Sequence, residues 1–248
     1  MTSLQTTSEL SSDRPSSPPV NGWRWTERLG LTMLIVTGSL FGVLTLLVSS
    51  ETTQAFDESV IQALRHPGDG GLPVGPRWFI ELARDFTALG GYGVLVTLTI
   101  LVTTFLVLER KPHRAKFAGL TIGSGYLLSM ALKHLVGRPR PDMVPWLSFP
   151  HSSSFPSGHS MMSAIVYLTM GLMLSELASH RRVKVFLAVS PLVIAAAVGF
   201  SRVYMGVHYV TDVAAGWSAG ISWALLCWLI VRRCPAFQSF GPTEVVSD

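Results

Sequence analysis

The chain is short of charge. Asp, Glu, Lys and Arg make up 14% of its 248 residues while 48% are hydrophobic, a balance that excludes an ordinary soluble domain. It has only two cysteines, Cys227 and Cys234. Seven residues apart on one helix, they would stand about 10 Å from each other, beyond the reach of a disulfide. No zinc-ligand spacing is present. Carboxylates are not clustered for Mg²⁺ either: Asp142 stands alone and Asp212 has a histidine four residues before it. The net charge of +4 comes from basic residues in short loops beside apolar runs, with no Lys/Arg face interleaved with aromatics. That excludes a nucleic-acid partner. Internal repeats are absent.

What the chain has is apolar runs long enough to cross a bilayer, which takes about 20 residues each. Residues 1–22 are rich in Ser, Thr and Pro and contain no aromatic residue, so they read as a disordered cytoplasmic tail. No apolar core follows Met1, so they are not a signal peptide. Trp23, Arg24, Trp25 and Arg28 form an aromatic and basic anchor. Six spans follow, at Leu29–Val48, Leu89–Leu108, Phe117–Leu135, Gly158–Leu177, Val185–Phe200 and Tyr209–Val231. Between the first two, Glu51–Ala88 carries Phe56, Val60, Ile61 and Leu64 on one helical face. After a Gly/Pro break it carries Trp78, Phe79, Leu82 and Phe86 on another. Two short interfacial helices fit that pattern. The expected fold is therefore all-α: a polytopic membrane protein with six transmembrane helices in a domain over 23–233, and a short tail over 234–248.

The basic residues orient it. Twelve of the 19 Lys and Arg residues lie on one side: Arg14, Arg24, Arg28, Arg110, Lys111, Arg114, Lys116, Arg181, Arg182, Lys184, Arg232 and Arg233. That side is predicted to be cytoplasmic and to hold both termini. Lys133, Arg140, Ser157–His159 and Arg202–Asp212 then all fall at the outer face. Cations at a bilayer edge are costly unless paired or solvated, and several together make sense around an anion.

Three stretches carry the chemistry. In Ser201-Arg202-Val203-Tyr204-Met205-Gly206-Val207-His208-Tyr209-Val210-Thr211-Asp212, His208 and Asp212 are four apart. On a helix that puts them on one face, so a carboxylate can hold one imidazole nitrogen and leave the other free to attack. Taken alone, the pair also fits a His and an Asp capping a membrane helix. Arg202 offers a planar cation to a phosphate. Pro156-Ser157-Gly158-His159 opens a helix whose first N–H groups can bind phosphate; by itself it reads as a plain N-cap. Lys133 and Arg140-Pro141 frame the third stretch. Arg138 between them reads as a surface arginine in a Pro-rich turn, with an extra phosphate or diphosphate contact as the alternative.

Lys133-x6-Arg140-Pro141, Pro156-Ser157-Gly158-His159 and Ser201-Arg202-x5-His208-x3-Asp212 together resemble the three-part signature of the type 2 phosphatidic acid phosphatase superfamily, matched in order and without departure. The motifs run from Lys133 to Asp212, and the six-span plan extends the resemblance to about 23–231. The resemblance implies that His208 attacks phosphorus and becomes phosphohistidine, that Asp212 orients it, and that His159 protonates the leaving oxygen. It implies that Lys133, Arg140, Arg202, Ser157 and the Gly158 N–H bind the phosphoryl oxygens, with no metal or other cofactor. Fixed cations can supply the charge stabilisation that phosphoryl transfer needs. The expected activity is hydrolysis of a lipid phosphate or diphosphate at the outer face of a bacterial inner membrane. An isoprenoid diphosphate such as undecaprenyl diphosphate is favoured, with phosphatidic acid, phosphatidylglycerol phosphate and lipid A phosphate as alternatives. A lipid phosphotransferase would use the same site, whereas a transporter or lipid-binding protein would not need His208, Asp212 and His159 at these spacings.

Overall fold

The computed structural model describes residues 25–147 and 152–233. The two tails expected over 1–22 and 234–248 lie outside the described residues, as does Cys234. Eight helices occur among the described residues: α1 (Trp25–Ser49), α2 (Gln54–Ala63), α3 (Arg77–Leu89), α4 (Tyr92–Leu108), α5 (Pro112–Val136), α6 (Gly158–Leu177), α7 (Arg181–Tyr204) and α8 (Val210–Arg233). The Gly/Pro break between α2 and α3 is not bare loop. It folds into a small antiparallel hairpin of β1 (Arg65–His66) and β2 (Asp69–Pro73), a departure from a purely helical chain. Four helices, α1, α6, α7 and α8, are long and apolar enough to cross a membrane. The α3–α4 pair, bent by 48°, makes a fifth if counted as one span. α4 alone has 17 residues, and α5 is diluted by glycines, hydroxyls and basic residues. Several basic residues assigned to loops instead start helices: Arg114 and Lys116 lie in the first turns of α5, and Arg181, Arg182 and Lys184 in those of α7.

α6 is the central helix, packed against α4, α5, α7 and α8. Met161, Ile165 and Val166 are fully buried. Its crossing with α8 is close because α8 presents glycines there. A Cβ on Gly216 would lie 2.7 Å from the Ser157 carbonyl oxygen, and one on Gly220 2.5 Å from that of Met161. Small residues spaced four apart let two helix backbones approach in this way. The contact brings the start of α6 beside the start of α8, where the Ser157 N–H donates to the Asp212 carbonyl at 3.0 Å. At the opposite end Glu27 of α1 pairs with Arg232 (3.7 Å) and Arg233 (3.3 Å), and Arg232 also reaches Glu176 of α6 (3.4 Å). Leu46, Leu108, Leu120, Leu127, Phe186 and Val193 point outward, the apolar exterior of a helix bundle that lies in lipid.

Candidate active site

Four backbone features converge at one end of the bundle. α5 ends at Gly137, whose φ of 64° admits the left-handed turn and whose N–H donates to the Lys133 carbonyl at 3.1 Å. Lys133 thus sits in the last helical turn. Pro139 and Pro141 keep the following segment out of a helix, so Arg138 and Arg140 lie on irregular backbone. α6 begins at Ser157, its N-cap. α7 carries Arg202 in its last turn, and Met205–Tyr209 form the turn into α8. Gly206 has φ 73°, and a Cβ there would lie 2.5 Å from an Arg65 nitrogen.

His208 stands in that turn, two residues before α8 rather than on it. The four-residue spacing to Asp212 still joins the pair, but by a different route. Asp212 Oδ2 accepts the Tyr209 N–H at 2.9 Å, capping the start of α8. The same oxygen lies 3.5 Å from His208 Nδ1. Ser154 closes the gap: its hydroxyl donates to Asp212 Oδ2 at 2.5 Å and lies 3.4 Å from Nδ1. On the other side of the ring, Arg140 Nη1 is 3.0 Å from Nε2. A guanidinium can only donate, so Nε2 carries the lone pair and Nδ1 the proton. His208 is 1% exposed. Burial first, and then the charges of Arg140, Arg202, Lys133 and His159, hold its pKa well below the usual histidine range. The imidazole is therefore neutral at pH 7, with an available lone pair.

Two further cations, Lys133 and Arg202, act with Arg140 on the ring. Lys133 is buried, and its Nζ donates to the Ser153 carbonyl at 2.7 Å while the Ser153 hydroxyl returns a bond to the Lys133 carbonyl at 2.9 Å. Arg140 also donates to the carbonyls of Ser152 (2.7 Å) and Val207 (2.6 Å). Burial lowers its pKa to about 10, opposed by Asp212 and Tyr92, and it remains a cation at neutral pH. Arg202 is 2% exposed, yet its Nε and Nη1 have no hydrogen-bond partner. Unpaired buried donors on a permanent cation are expensive, and an anion brought to this edge would satisfy them. At the start of α6, Ser157 accepts the Ser160 N–H at 3.5 Å, and Gly158 lies against Tyr92, Lys133 and Ser129. A Cβ on Gly158 would be 3.1 Å from the Tyr92 hydroxyl and 3.3 Å from Lys133 Cε. His159 is half-buried, with its ring 6.3 Å from that of Tyr92. The structure thus gathers all eight residues singled out from the motifs at one end of the bundle.

Arg138 overturns its assignment as a surface residue. It is 8% exposed and bridges two buried carboxylates, Asp212 at 2.7 Å and Asp57 at 2.9 Å. Burial opposes its charge, but Asp212 and Asp57 together raise its pKa above the ordinary value. Sequence reading also passed over Ser154 and Asp57. Ser154 sits in a Ser-rich loop that looks generic. Asp57 did carry a signal: it is an acidic residue beside Phe56 in an otherwise apolar stripe. Among the described residues no three His, Cys, Asp or Glu side chains gather as metal ligands would.

Comparison with known proteins identifies the family. Residues 114–235 match the family model of the PAP2 superfamily. Phosphatidylglycerophosphatase B of Bacillus subtilis is 34% identical over 188 residues, covering 73% of this chain and 86% of that protein. A lipid A 1-phosphatase of Rhizobium johnstonii is 30% identical over 47% of each. The crystal structure of a transmembrane PAP2 type phosphatidylglycerolphosphate phosphatase from Bacillus subtilis superposes with a TM-score of 0.72 at 30% identity, over 83% of this chain and 98% of that one. A helical membrane bundle with a cluster of cations at one end, and a phosphatase relative matched over 86% of its length, lead to one conclusion: the chain belongs to the PAP2 superfamily and is an integral-membrane phosphatase.

Proposed function

We propose that the enzyme hydrolyses a glycerophospholipid phosphate monoester, of the phosphatidylglycerol phosphate kind, through a phosphohistidine on His208 and without a metal. The observation that carries this reading is the neutral Nε2 of buried His208 beside the unpartnered donors of buried Arg202: a nucleophile next to a cation that can take an anion. The substrate's phosphoryl oxygens take the guanidiniums of Arg140 and Arg202, the Lys133 ammonium, the Ser157 hydroxyl and the Gly158 N–H. Arg140 leaves Nε2 as it does so. Nε2 then bonds to phosphorus as the lipid alcohol departs on the opposite side, taking a proton from His159, while Asp212 and Ser154 steady the Nδ1 proton. Water, deprotonated by His159, next attacks the phosphohistidine, and inorganic phosphate leaves. The cations supply throughout the charge that a metal would otherwise bring.

The relative aligned over 86% of its length supports phosphatidylglycerol phosphate as substrate. An isoprenoid diphosphate, expected from outward topology and compact size, is the competing headgroup. Purified enzyme is expected to release phosphate from phosphatidylglycerol phosphate faster than from undecaprenyl diphosphate or phosphatidic acid, with no loss in excess EDTA. Vanadate, which adopts the geometry of the transferring phosphoryl group, is expected to inhibit. Activity lost in EDTA and regained with Mg²⁺ would overturn the electrostatic assignment. A reversed order among the three lipids would overturn the substrate.

In this reading α4 and α5 complete six spans, both termini are cytoplasmic, and the site faces outward across a bacterial cell membrane. Ten of the twelve basic residues lie among the described residues, at the other end of the bundle, and support this. Ser152 lies in the site loop and Ser179 between α6 and α7, and both are exposed. In a cysteine-free background, an impermeant thiol reagent on intact cells is expected to label Ser152→Cys and spare Ser179→Cys. The opposite pattern would invert the topology.

A further inference from the structure

We propose that Asp57, on α2 and outside the residues matched by the family model, is a positioning residue for the reaction: through Arg138 it sets how Asp212 holds the Nδ1 proton of His208. This deepens the proposed function and rests on it. Asp57 is fully buried. Its Oδ2 accepts from Arg138 Nη2 at 2.9 Å and from the Thr211 hydroxyl at 2.5 Å, and its Oδ1 accepts the Thr211 N–H at 3.0 Å. Arg138 Nη1 donates to Asp212 Oδ1 at 2.7 Å and to the Thr211 hydroxyl at 2.9 Å. Its Nη2 also reaches Gln54 Oε1 at 3.0 Å, and its guanidinium lies 4.1 Å from the centre of the Tyr209 ring. Charges therefore alternate along one buried line: Asp57, Arg138, Asp212, then the His208 ring.

The arrangement has a chemical consequence. A carboxylate held by one arginine alone gives much of its charge to that arginine. With Asp57 on the far side, Arg138 is shared between two anions, so Asp212 keeps more negative charge for Nδ1 and the imidazolium-like transition state. The groups facing His208 are otherwise Arg140 and Ser154 from the loops, with Arg202, Lys133 and His159 acting from α7, α5 and α6. All the charged ones are cations or potential cations, so the anions on the Asp212 side bear heavily on the ring.

The test uses the full-length enzyme in detergent, with p-nitrophenyl phosphate as substrate and rates normalised to folded protein. For Asp57→Asn we expect kcat to fall about ten- to a hundredfold with KM held within about twofold, the size of a misplaced catalytic group. Losing a nearby anion disfavours the imidazolium, so the acid limb of kcat/KM is expected to move to lower pH by about 0.5–1 unit. Asp57→Glu should return the limb towards the wild type even if its thermal midpoint is the lower of the two. The double variant Asp57→Asn/Arg138→Gln, which does not leave Arg138 unbalanced, should move the limb the other way, because the lost cation stands nearer Asp212 than the lost anion. Coincident limbs in the wild type and Asp57→Asn would overturn the proposal, as would equal limbs in Asp57→Asn and Asp57→Glu. If Asp57→Asn does not fold, a double-variant limb at or below the wild-type position would do so. Rapid-quench trapping in base, where a phosphohistidine survives, on the wild type separates the two levels. Phosphoenzyme with an unmoved limb sinks the role of Asp57 alone, whereas a limb that follows charge at 57 without phosphoenzyme upholds that role and sinks the proposed nucleophile.

Discussion

A His208→Ala variant is expected to lose turnover on every phosphate ester by about 10⁵-fold or more, because no other side chain can accept the phosphoryl group in that position. The two histidines of the site are separable by leaving group. His208 presents Nε2 from a buried turn. His159 opens α6 and is half-buried, so it can face the departing oxygen. A lipid alkoxide leaves poorly without a proton, whereas p-nitrophenolate leaves unaided. His159→Ala should therefore retain far more of its relative activity on the aryl phosphate than on a lipid phosphate, and should still form phosphoenzyme from it. His208→Ala should do neither. Asp212→Asn should fall between, since the ring stays but loses its charge support. Rapid-quench trapping of an acid-labile, base-stable phosphoenzyme reads all three. Phosphoenzyme in a correctly folded His208→Ala protein would refute the nucleophile.

Arg202→Met is expected to reduce kcat/KM by about 10³-fold, the loss typical of a donor aimed at developing phosphoryl charge. The same substitution should leave the ligand-free protein as stable as before, or raise its thermal midpoint. The wild-type residue buries two donors with no acceptor, and an apolar side chain of similar length removes that desolvation cost of about 1–3 kcal/mol or more. Vanadate should raise the wild-type midpoint through binding to the folded state and leave the variant's unchanged. Thermal scanning with and without vanadate, alongside initial rates, checks both halves. A variant that melts earlier while keeping its activity would mean that Arg202 is a structural residue.

Residues far apart in the chain were the hardest to read. Asp57 and Arg138 are 81 residues apart and Arg138 and Asp212 74, so nothing next to any of them indicates that they pair. An arginine between a glycine and a proline looks like a solvated turn until α2 is packed over it. Ser154 reaches Asp212 across 58 positions from a loop whose composition is unremarkable. The His208–Asp212 pair was visible for a reason that proved only half right. The spacing named the correct partner, but the backbone meets it through a Gly206 turn and an N-cap rather than a helical face.

The sequence by itself determined the helical membrane class, the ends of most helices and the end of the bundle that would collect the motif residues. In lipid a segment must satisfy its own backbone hydrogen bonds, so its apolar length and its flanking charges are local properties that can be read along the chain. The span count was less legible at α4 and α5, where length and composition sit near the margin. Tertiary structure decided which charged groups are buried, which share a partner and which keep unpartnered donors. Burial and ion pairing depend on what packs across from a residue, and that is why Arg202 is left with unpartnered donors while Arg138 is held between two carboxylates.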